Sequence, residues 1–225
     1  MKLSPDRLAP PSHPVARLPE EWVAQAKAWG EPAYRGQQIF DWIHRQGVLD
    51  PSEMTNLPKR LRARLEEEGL GWPLRVTSRH PSDDGTTKLL VAMTDGECVE
   101  TVLIPQLGDH RLVTQCISSQ VGCAMGCVFC ASGVAGLKRQ MSDAEIISQV
   151  LLGRRELGPE RRVRNVVFMG MGEPLHNYDA VARALVVITH PDGLDLSKRR
   201  VTVSTSGLVN QIERLGSDFD GQVQL

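Results

Sequence analysis

The sequence predicts an α/β protein in which a small helical module and a β-hairpin precede the first strands of a parallel sheet or (β/α) barrel. Three observations predict this order. Apolar stripes at helical spacing run through residues 18–70, a tight-turn dipeptide separates two strand-like segments near residue 95, and strand–loop–helix units repeat from residue 112 onward. Short apolar strands that alternate with helices are typical of parallel sheets covered by helices.

Three helices are predicted in the N-terminal module. The first has an apolar face around Trp22, and a second apolar stripe follows over residues 39–43. Pro58 stands at a first-turn position, so we expect a third helix over residues 59–68 that ends at Gly69.

The β-hairpin is predicted over residues 88–93 and 98–104, joined at Asp95-Gly96, a dipeptide that favours tight turns. Alternation along the second strand places Glu100 among apolar neighbours. In such surroundings a carboxyl group has a raised pKa and can serve as an acid or base. A glutamate at a sheet edge that reaches water explains the same pattern equally well.

Three further strands are predicted, each followed by a helix, so that the loops after the strands meet at one edge of the sheet. In folds of this kind the active site lies at the carboxyl ends of the strands. One helix begins at a capping box opened by Ser142. The predicted strands are 112–118, 165–169 and 200–204, the helices that follow the last two are 179–189 and 208–215, and residues 221–225 begin a fourth strand.

Composition narrows the class of protein without naming a partner. A net charge of −1 and an aromatic content of 4% give no sign of a general nucleic-acid binder, and local basic clusters are more simply explained as solvated surface. No apolar run is long enough to cross a bilayer. Residues 1–17 are rich in proline and have no signal-peptide pattern, so we expect a flexible arm and a cytoplasmic protein.

The five cysteines indicate metal or redox chemistry, because three of them, Cys123, Cys127 and Cys130, form a C-x3-C-x2-C run. Three thiolates in one loop can hold three irons of a [4Fe–4S] cluster, which leaves the fourth iron open to the amino and carboxylate groups of a cofactor. A zinc site with Cys116 or Cys98 as fourth ligand is the alternative, although zinc ligands usually come as two C-x2–4-C pairs.

The cysteine spacing resembles the signature of the radical S-adenosylmethionine superfamily, whose members cleave that cofactor reductively to generate a radical that abstracts hydrogen. The segment from Gly172 through Glu173 to Pro174 resembles the Gly-Glu-Pro element of that superfamily. The resemblance implies S-adenosylmethionine as cofactor, with Gly172, Glu173 and Ser204 among its contacts.

Longer stretches resemble the RlmN/Cfr family of RNA adenine methyltransferases, and RlmN more than Cfr. They are residues 31–43 (EPAYRGQQIFDWI), 99–105 (VETVLIP), 116–123 (CISSQVGC), 165–174 (NVVFMGMGEP) and 197–207 (SKRRVTVSTSG). The resemblance implies methylation at C2 of an adenine in 23S rRNA and in tRNA, through a methylated cysteine near the family's C-terminus. It also implies that Glu100 is the proton acceptor and that Cys116 bonds transiently to the methyl-carrying cysteine.

The resemblance further implies a fold and partners. We expect a partial radical-SAM (β/α) barrel truncated after about four strands, with the arm at 1–17, a helical accessory domain at 18–75 that binds RNA, and barrel sequence from 76 to 225. No cysteine follows Cys130, so we expect a fragment of a longer protein. An electron donor such as flavodoxin and a monomeric state are also expected. The alternatives are C8 methylation as in Cfr, a radical enzyme for a small molecule, and a non-enzymatic zinc-containing RNA-binding protein.

Overall fold

The computed structural model describes residues 7–225, and its N-terminal part is helical as predicted. The helices pack their apolar faces together, with Trp22, Phe40 and Leu61 almost fully buried. This burial confirms the predicted stripes. The elements are α1 (Pro19–Ala28), α2 (Tyr34–Phe40, continued by a π-helical turn Asp41–Arg45) and α3 (Lys59–Glu67), with 3-10 turns at Pro14–Ala16 and Pro51–Glu53.

The flexible arm predicted over residues 1–17 is corrected for residues 7–17, which pack on the rest of the protein. Val15 and Ala16 are fully buried. The buried guanidinium of Arg183 donates hydrogen bonds to the carbonyl oxygens of Ala9 (2.7 Å) and Ala16 (3.1 Å), and Ser12 donates to the carboxylate of Asp143. Proline content suggested a loose segment, but long-range side chains anchor it; residues 1–6 lie outside the described part.

The main sheet has six strands in the order β1-β2-β3-β4-β7-β8. Strands β1 to β4 are antiparallel neighbours, whereas β4, β7 and β8 are parallel. The predicted hairpin is β2 and β3, and β1 is an additional strand that the sequence analysis missed. The bounds are β1 (Leu74–Pro81), β2 (Thr87–Met93), β3 (Cys98–Gln106), β4 (Asp109–Cys116), β7 (Arg162–Phe168) and β8 (Val201–Val203).

Four helices and a small two-stranded ribbon complete the α/β part. Ser142 caps its helix as predicted, since its hydroxyl accepts from Glu145 N while the Glu145 carboxylate accepts from Ser142 N at 2.8 Å. Gln224 forms a parallel bridge with Thr202, which is the expected start of another strand. The elements are β5 (Gln120–Gly122), α4 (Ala131–Val134), β6 (Leu137–Gln140), α5 (Asp143–Leu157), α6 (Tyr178–Ile188) and α7 (Val209–Asp218).

One face of the sheet is buried and the other is partly open. Alternate residues of β3 such as Val99 and Leu103 pack into the core with α5, whereas Glu100 and Val102 face the open side. The predicted partial (β/α) barrel is therefore confirmed as an open mixed sheet. Among residues 7–225 no helix has the length and apolar character needed to cross a membrane.

Candidate cluster and cofactor site

A cavity of about 320 Å³ lies at the carboxyl ends of β7 and β8, next to the cysteine loop. It brings together six of the eight residues that the sequence analysis singled out, because strand-end loops of a parallel sheet meet at one edge. Those six are Cys123, Cys127, Cys130, Gly172, Glu173 and Ser204. Its remaining lining residues are Met125, Phe129, Ser132, Phe168, Met169, Gly170, Thr205 and Ser206.

The cysteine loop is closed at its base by a close approach of two backbones. Gly122 has φ +78°, and a Cβ there would collide with the carbonyl oxygen of Gly136. The same carbonyl accepts a hydrogen bond of 3.1 Å from Cys123 N. Only glycine fits this position without displacing the backbone, so the β5–β6 ribbon fixes where the loop starts and ends.

The three thiols of the cysteine loop are available as metal ligands. All are free, with Cys123 buried and the other two half-buried. Hydrogen bonds from the backbone N–H groups of Gly133 and Ser132 lower the pKa of the Cys130 thiol, which favours the thiolate form that binds iron.

Within residues 7–225, no three His, Cys, Asp or Glu side chains are grouped closely enough to hold one metal ion.

Glu173 joins the loops that follow β7 and β8. Its side chain is buried, and its two carboxylate oxygens accept hydrogen bonds from Leu175 N (2.9 Å) and Ser206 N (2.6 Å). No cationic side chain in the described part of the chain forms an ion pair with it. A buried carboxylate without a counter-ion is costly, so this oxygen pair is suited to a ligand that carries an ammonium group.

Gly172 is the residue that lets this loop approach β5. It has φ +103°, and a Cβ there would lie 2.5 Å from the Cβ of Gln120. Gln120 in turn accepts a hydrogen bond of 2.7 Å from Glu173 N and contacts His176 Nδ1 at 3.1 Å. The sequence analysis missed Gln120 and His176, because nothing in the local pattern marks a glutamine whose partner is 53 positions away.

Ser204 lines the cavity as expected, together with Thr205 and Ser206. Ser206 was missed, although it belongs to the polar run that follows β8. A run of hydroxyl residues at a strand's carboxyl end was the available signal. It could not show which backbone N–H would meet Glu173.

Glu100 and Cys116 lie outside the cavity, on the open face of the sheet. Cys116 is opposite Val102 in the β3–β4 register, so Glu100 is its diagonal neighbour at roughly 7–8 Å. The Cys116 sulfur accepts a hydrogen bond from the backbone of Met169, a cavity residue, while burial raises the pKa of its thiol. Cys116 thus adjoins the cavity through Met169.

The apolar surroundings predicted for Glu100 are wrong. Its carboxylate is 46% exposed and forms an ion pair of 2.9 Å with Lys88 Nζ, a residue of the neighbouring strand β2. The residues that flank Glu100 in sequence point to the buried face, whereas Glu100 itself points to the open one. The alternative is right in that Glu100 reaches water, but β3 is an inner strand of the sheet and not its edge.

Two family models match this chain. Residues 20–69, which contain α1 to α3, match the "Ribosomal RNA large subunit methyltransferase N-terminal domain". Residues 117–217, which contain the cysteine loop and the Glu173 loop, match the "Radical SAM superfamily".

Curated relatives and a solved structure agree with these models. The chain is 55% identical to the dual-specificity RNA methyltransferase RlmN of Sorangium cellulosum, over 96% of the chain and 63% of that protein. It is 45% identical to a probable RlmN of Heliobacterium modesticaldum, over 92% of the chain and 55% of that protein. A crystal structure of a radical SAM methyltransferase from Sphaerobacter thermophilus has a TM-score of 0.85 at 41% identity, over 92% of the chain and 60% of that protein. The chain thus spans less than two thirds of these relatives, and it is similar to RlmN methyltransferases and to the radical SAM superfamily over the two matched domains.

Proposed function

We propose that this chain is the cluster-binding and cofactor-binding part of an RNA methyltransferase that modifies C2 of an adenine in 23S rRNA and in tRNA. The observation that carries the proposal is the single cavity in which three cysteines meet the buried carboxylate of Glu173. The substrates come from the relatives, which are named dual-specificity RNA methyltransferases.

The chain's residues have separate tasks in this proposal. Cys123, Cys127 and Cys130 would hold a [4Fe–4S] cluster, and Glu173 would bind the amino group of S-adenosylmethionine, with Gly172 and Ser204 beside it. Together the bound cluster and cofactor supply methyl groups and one-electron chemistry, which an electron-poor aromatic carbon requires. The buried side chain of Phe168 supplies part of the apolar lining of the cavity.

Glu100 and Cys116 are proposed to act on the open face of the sheet. Glu100 would accept a proton, since its half-exposed carboxylate on the open face can be reached by a substrate. The thiolate of Cys116 would attack the sulfur of a second, methyl-carrying cysteine after the methyl carbon has become attached to the base; the S–S bond forms as the S–C bond breaks, and the electron pair of that bond goes to the transferred carbon. The position of Glu100 and Cys116 as diagonal neighbours supports both roles, because proton transfer and disulfide formation would occur beside the same bound base.

Metal analysis tests the cofactor part of the proposal. Protein purified and reconstituted without oxygen should contain iron and sulfide, and S-adenosylmethionine should change the electron paramagnetic resonance spectrum of the reduced cluster. One zinc per chain without sulfide would support the zinc-containing RNA-binding alternative instead.

Nucleoside analysis tests the substrate part. The full-length protein that contains this chain would be expressed in cells that lack adenine C2 methylation, and 23S rRNA and tRNA would be digested and analysed by mass spectrometry. We expect 2-methyladenosine in both RNAs. Only 8-methyladenosine would favour Cfr-like regiochemistry, and no modified adenine would favour a small-molecule substrate.

The remaining expectations complete the proposal. The reducing cytoplasm suits a protein whose five cysteines are all free. A donor of the flavodoxin type would supply the electron, and the enzyme would act as a monomer. Light scattering and reduction by purified flavodoxin test these two points.

A further inference from the structure

Seven arginines line two adjoining cavities at the amino ends of β7 and β8, the edge of the sheet opposite the cysteine loop. One cavity, of about 520 Å³, lies between the helical module and α5. The other, of about 710 Å³, lies beside the start of β7 and the loop before β8. We call these residues the arginine surface: Arg154, Arg155, Arg161, Arg162, Arg164, Arg199 and Arg200.

The arginine surface is distinguished by its lack of close ion pairs, although the Asp109 carboxylate lies near enough to Arg162 to interact with its charge. Among residues 7–225, none of the seven forms an ion pair, whereas ten other arginines do. Outside the surface, only Arg35, Arg62 and Arg75 share this lack in the described part of the chain. Unpaired arginines are thus concentrated in one place, which solvated surface charge does not explain.

Several of these guanidinium groups are already held in place. Arg154 is half-buried and donates hydrogen bonds to the carbonyl oxygens of His44 (2.8 Å) and Arg45 (3.2 Å). Arg155 lies over the ring of Trp72 at 5.5 Å. Holding these side chains in advance reduces the rotamer entropy that a bound anion would otherwise cost.

The charge of both cavities is strongly positive. Three carboxylates line them, Asp50, Glu53 and Asp195, against the seven arginines. Asp50 is engaged by Ser52 N at 2.8 Å. Arg154 and Arg162 line both cavities, so a ligand that extends from one to the other would meet positive charge throughout.

We propose that the arginine surface binds phosphate groups of the RNA backbone at a place remote from the modified base. The choice of RNA rests on the proposed function; the need for an extended polyanion rests on the two cavities. Guanidinium groups bind phosphates through paired hydrogen bonds. Strand β7 alone separates this edge from the cysteine cavity by about 20 Å, so these contacts position the RNA without touching the reacting atoms.

The test compares two triple variants with a control. Arg161, Arg162 and Arg199 are exposed, so changing all three to Gln should leave the fold intact. Arg75→Gln removes an exposed, unpaired arginine from β1, far from the surface in sequence. Binding of a fluorescent RNA stem–loop is measured by anisotropy at stepped potassium chloride concentrations.

We expect the Gln triple to bind RNA about tenfold more weakly at low salt. The slope of the logarithm of the association constant against the logarithm of the salt concentration should decrease in magnitude by about 2, because each lost phosphate contact removes about 0.7–0.9 from that slope. The Arg75 control should match the parent. The variant with Lys at the same three positions should retain the parent's slope, because its charge is unchanged. A variant that failed to fold would lose the slope.

Equal affinity and slope for parent and Gln triple would overturn the inference. The same titration is repeated with fluorescent polyglutamate. If the Gln triple loses affinity for polyglutamate but keeps the parent's affinity for RNA, the surface belongs to an acidic protein partner and the inference is also overturned. Iron content and the spectral change with S-adenosylmethionine should be the same in parent and Gln triple. If neither protein contains iron or shows the spectral change, the proposed function is wrong. The RNA measurement still tests whether the arginine surface binds phosphate groups.

Discussion

Replacing Glu173 by Gln tests whether this side chain holds the loops after β7 and β8 together. The carboxylate accepts two backbone hydrogen bonds in a buried site, from Leu175 N and Ser206 N. Gln keeps the shape but has one oxygen, so its NH2 group must face one of these N–H donors. Hydrogen bonds to an ionised group contribute about 1.5–3 kcal/mol, and an unsatisfied buried N–H costs about 1–3 kcal/mol.

Neutralising a buried charge also recovers part of its desolvation cost, which opposes the loss. We therefore expect a net decrease of about 2 kcal/mol in the free energy of unfolding. For a chain of this size each kcal/mol corresponds to about 2–4 °C, so the melting temperature should fall by about 4–8 °C. Denaturant unfolding followed by circular dichroism measures the free energy, and a thermal scan measures the temperature.

The matched control is Glu213→Gln, because Glu213 is an exposed residue of α7. Its substitution should change stability by less than about 0.5 kcal/mol. If Glu173→Gln is as stable as this control, the carboxylate does not connect the two loops and the geometric reasoning fails. Added S-adenosylmethionine should stabilise the reconstituted parent more than the Glu173 variant, since stabilisation by a ligand scales with its affinity.

Three other predictions follow from the site and the core. Cys127→Ala should abolish cluster assembly, whereas Cys98→Ala should leave iron and sulfide unchanged; full iron in the first variant would remove it from the ligand set. Glu100→Gln should preserve iron content and cofactor binding but slow RNA methylation at least tenfold, and an unchanged rate would exclude it as proton acceptor. His44 is fully buried, and burial lowers its pKa from 6.5 to about 3. As the pH falls below 6.5, the unfolded state therefore binds a proton at this residue and the native state does not. The free energy of unfolding should therefore drop by up to about 1.4 kcal/mol per pH unit between pH 6.5 and 3. The drop should be less steep in His44→Phe than in the exposed-site control His80→Gln. Parallel pH profiles of these two variants would contradict the prediction.

Local sequence patterns predicted most of the elements and the proposed cluster ligands. The cysteine spacing, the strand–loop–helix repeat and the Ser142 capping box each depend on residues within a few positions of one another. Such short-range patterns can be interpreted without knowing how the chain packs. The β1 strand was missed because its alternation is weak, with one buried residue, Leu74, in eight.

The sequence itself therefore determined the α/β class, the family resemblance and the six residues that meet in the cysteine cavity. Only the tertiary structure decided the surroundings of Glu100, the anchoring of residues 7–17 and the concentration of unpaired arginines at the opposite edge of the sheet. The physical reason is that a side chain's charge partner and burial depend on neighbours many residues away. The pattern of one strand cannot show that Lys88 forms an ion pair with Glu100, or that Arg162 forms none within the described residues.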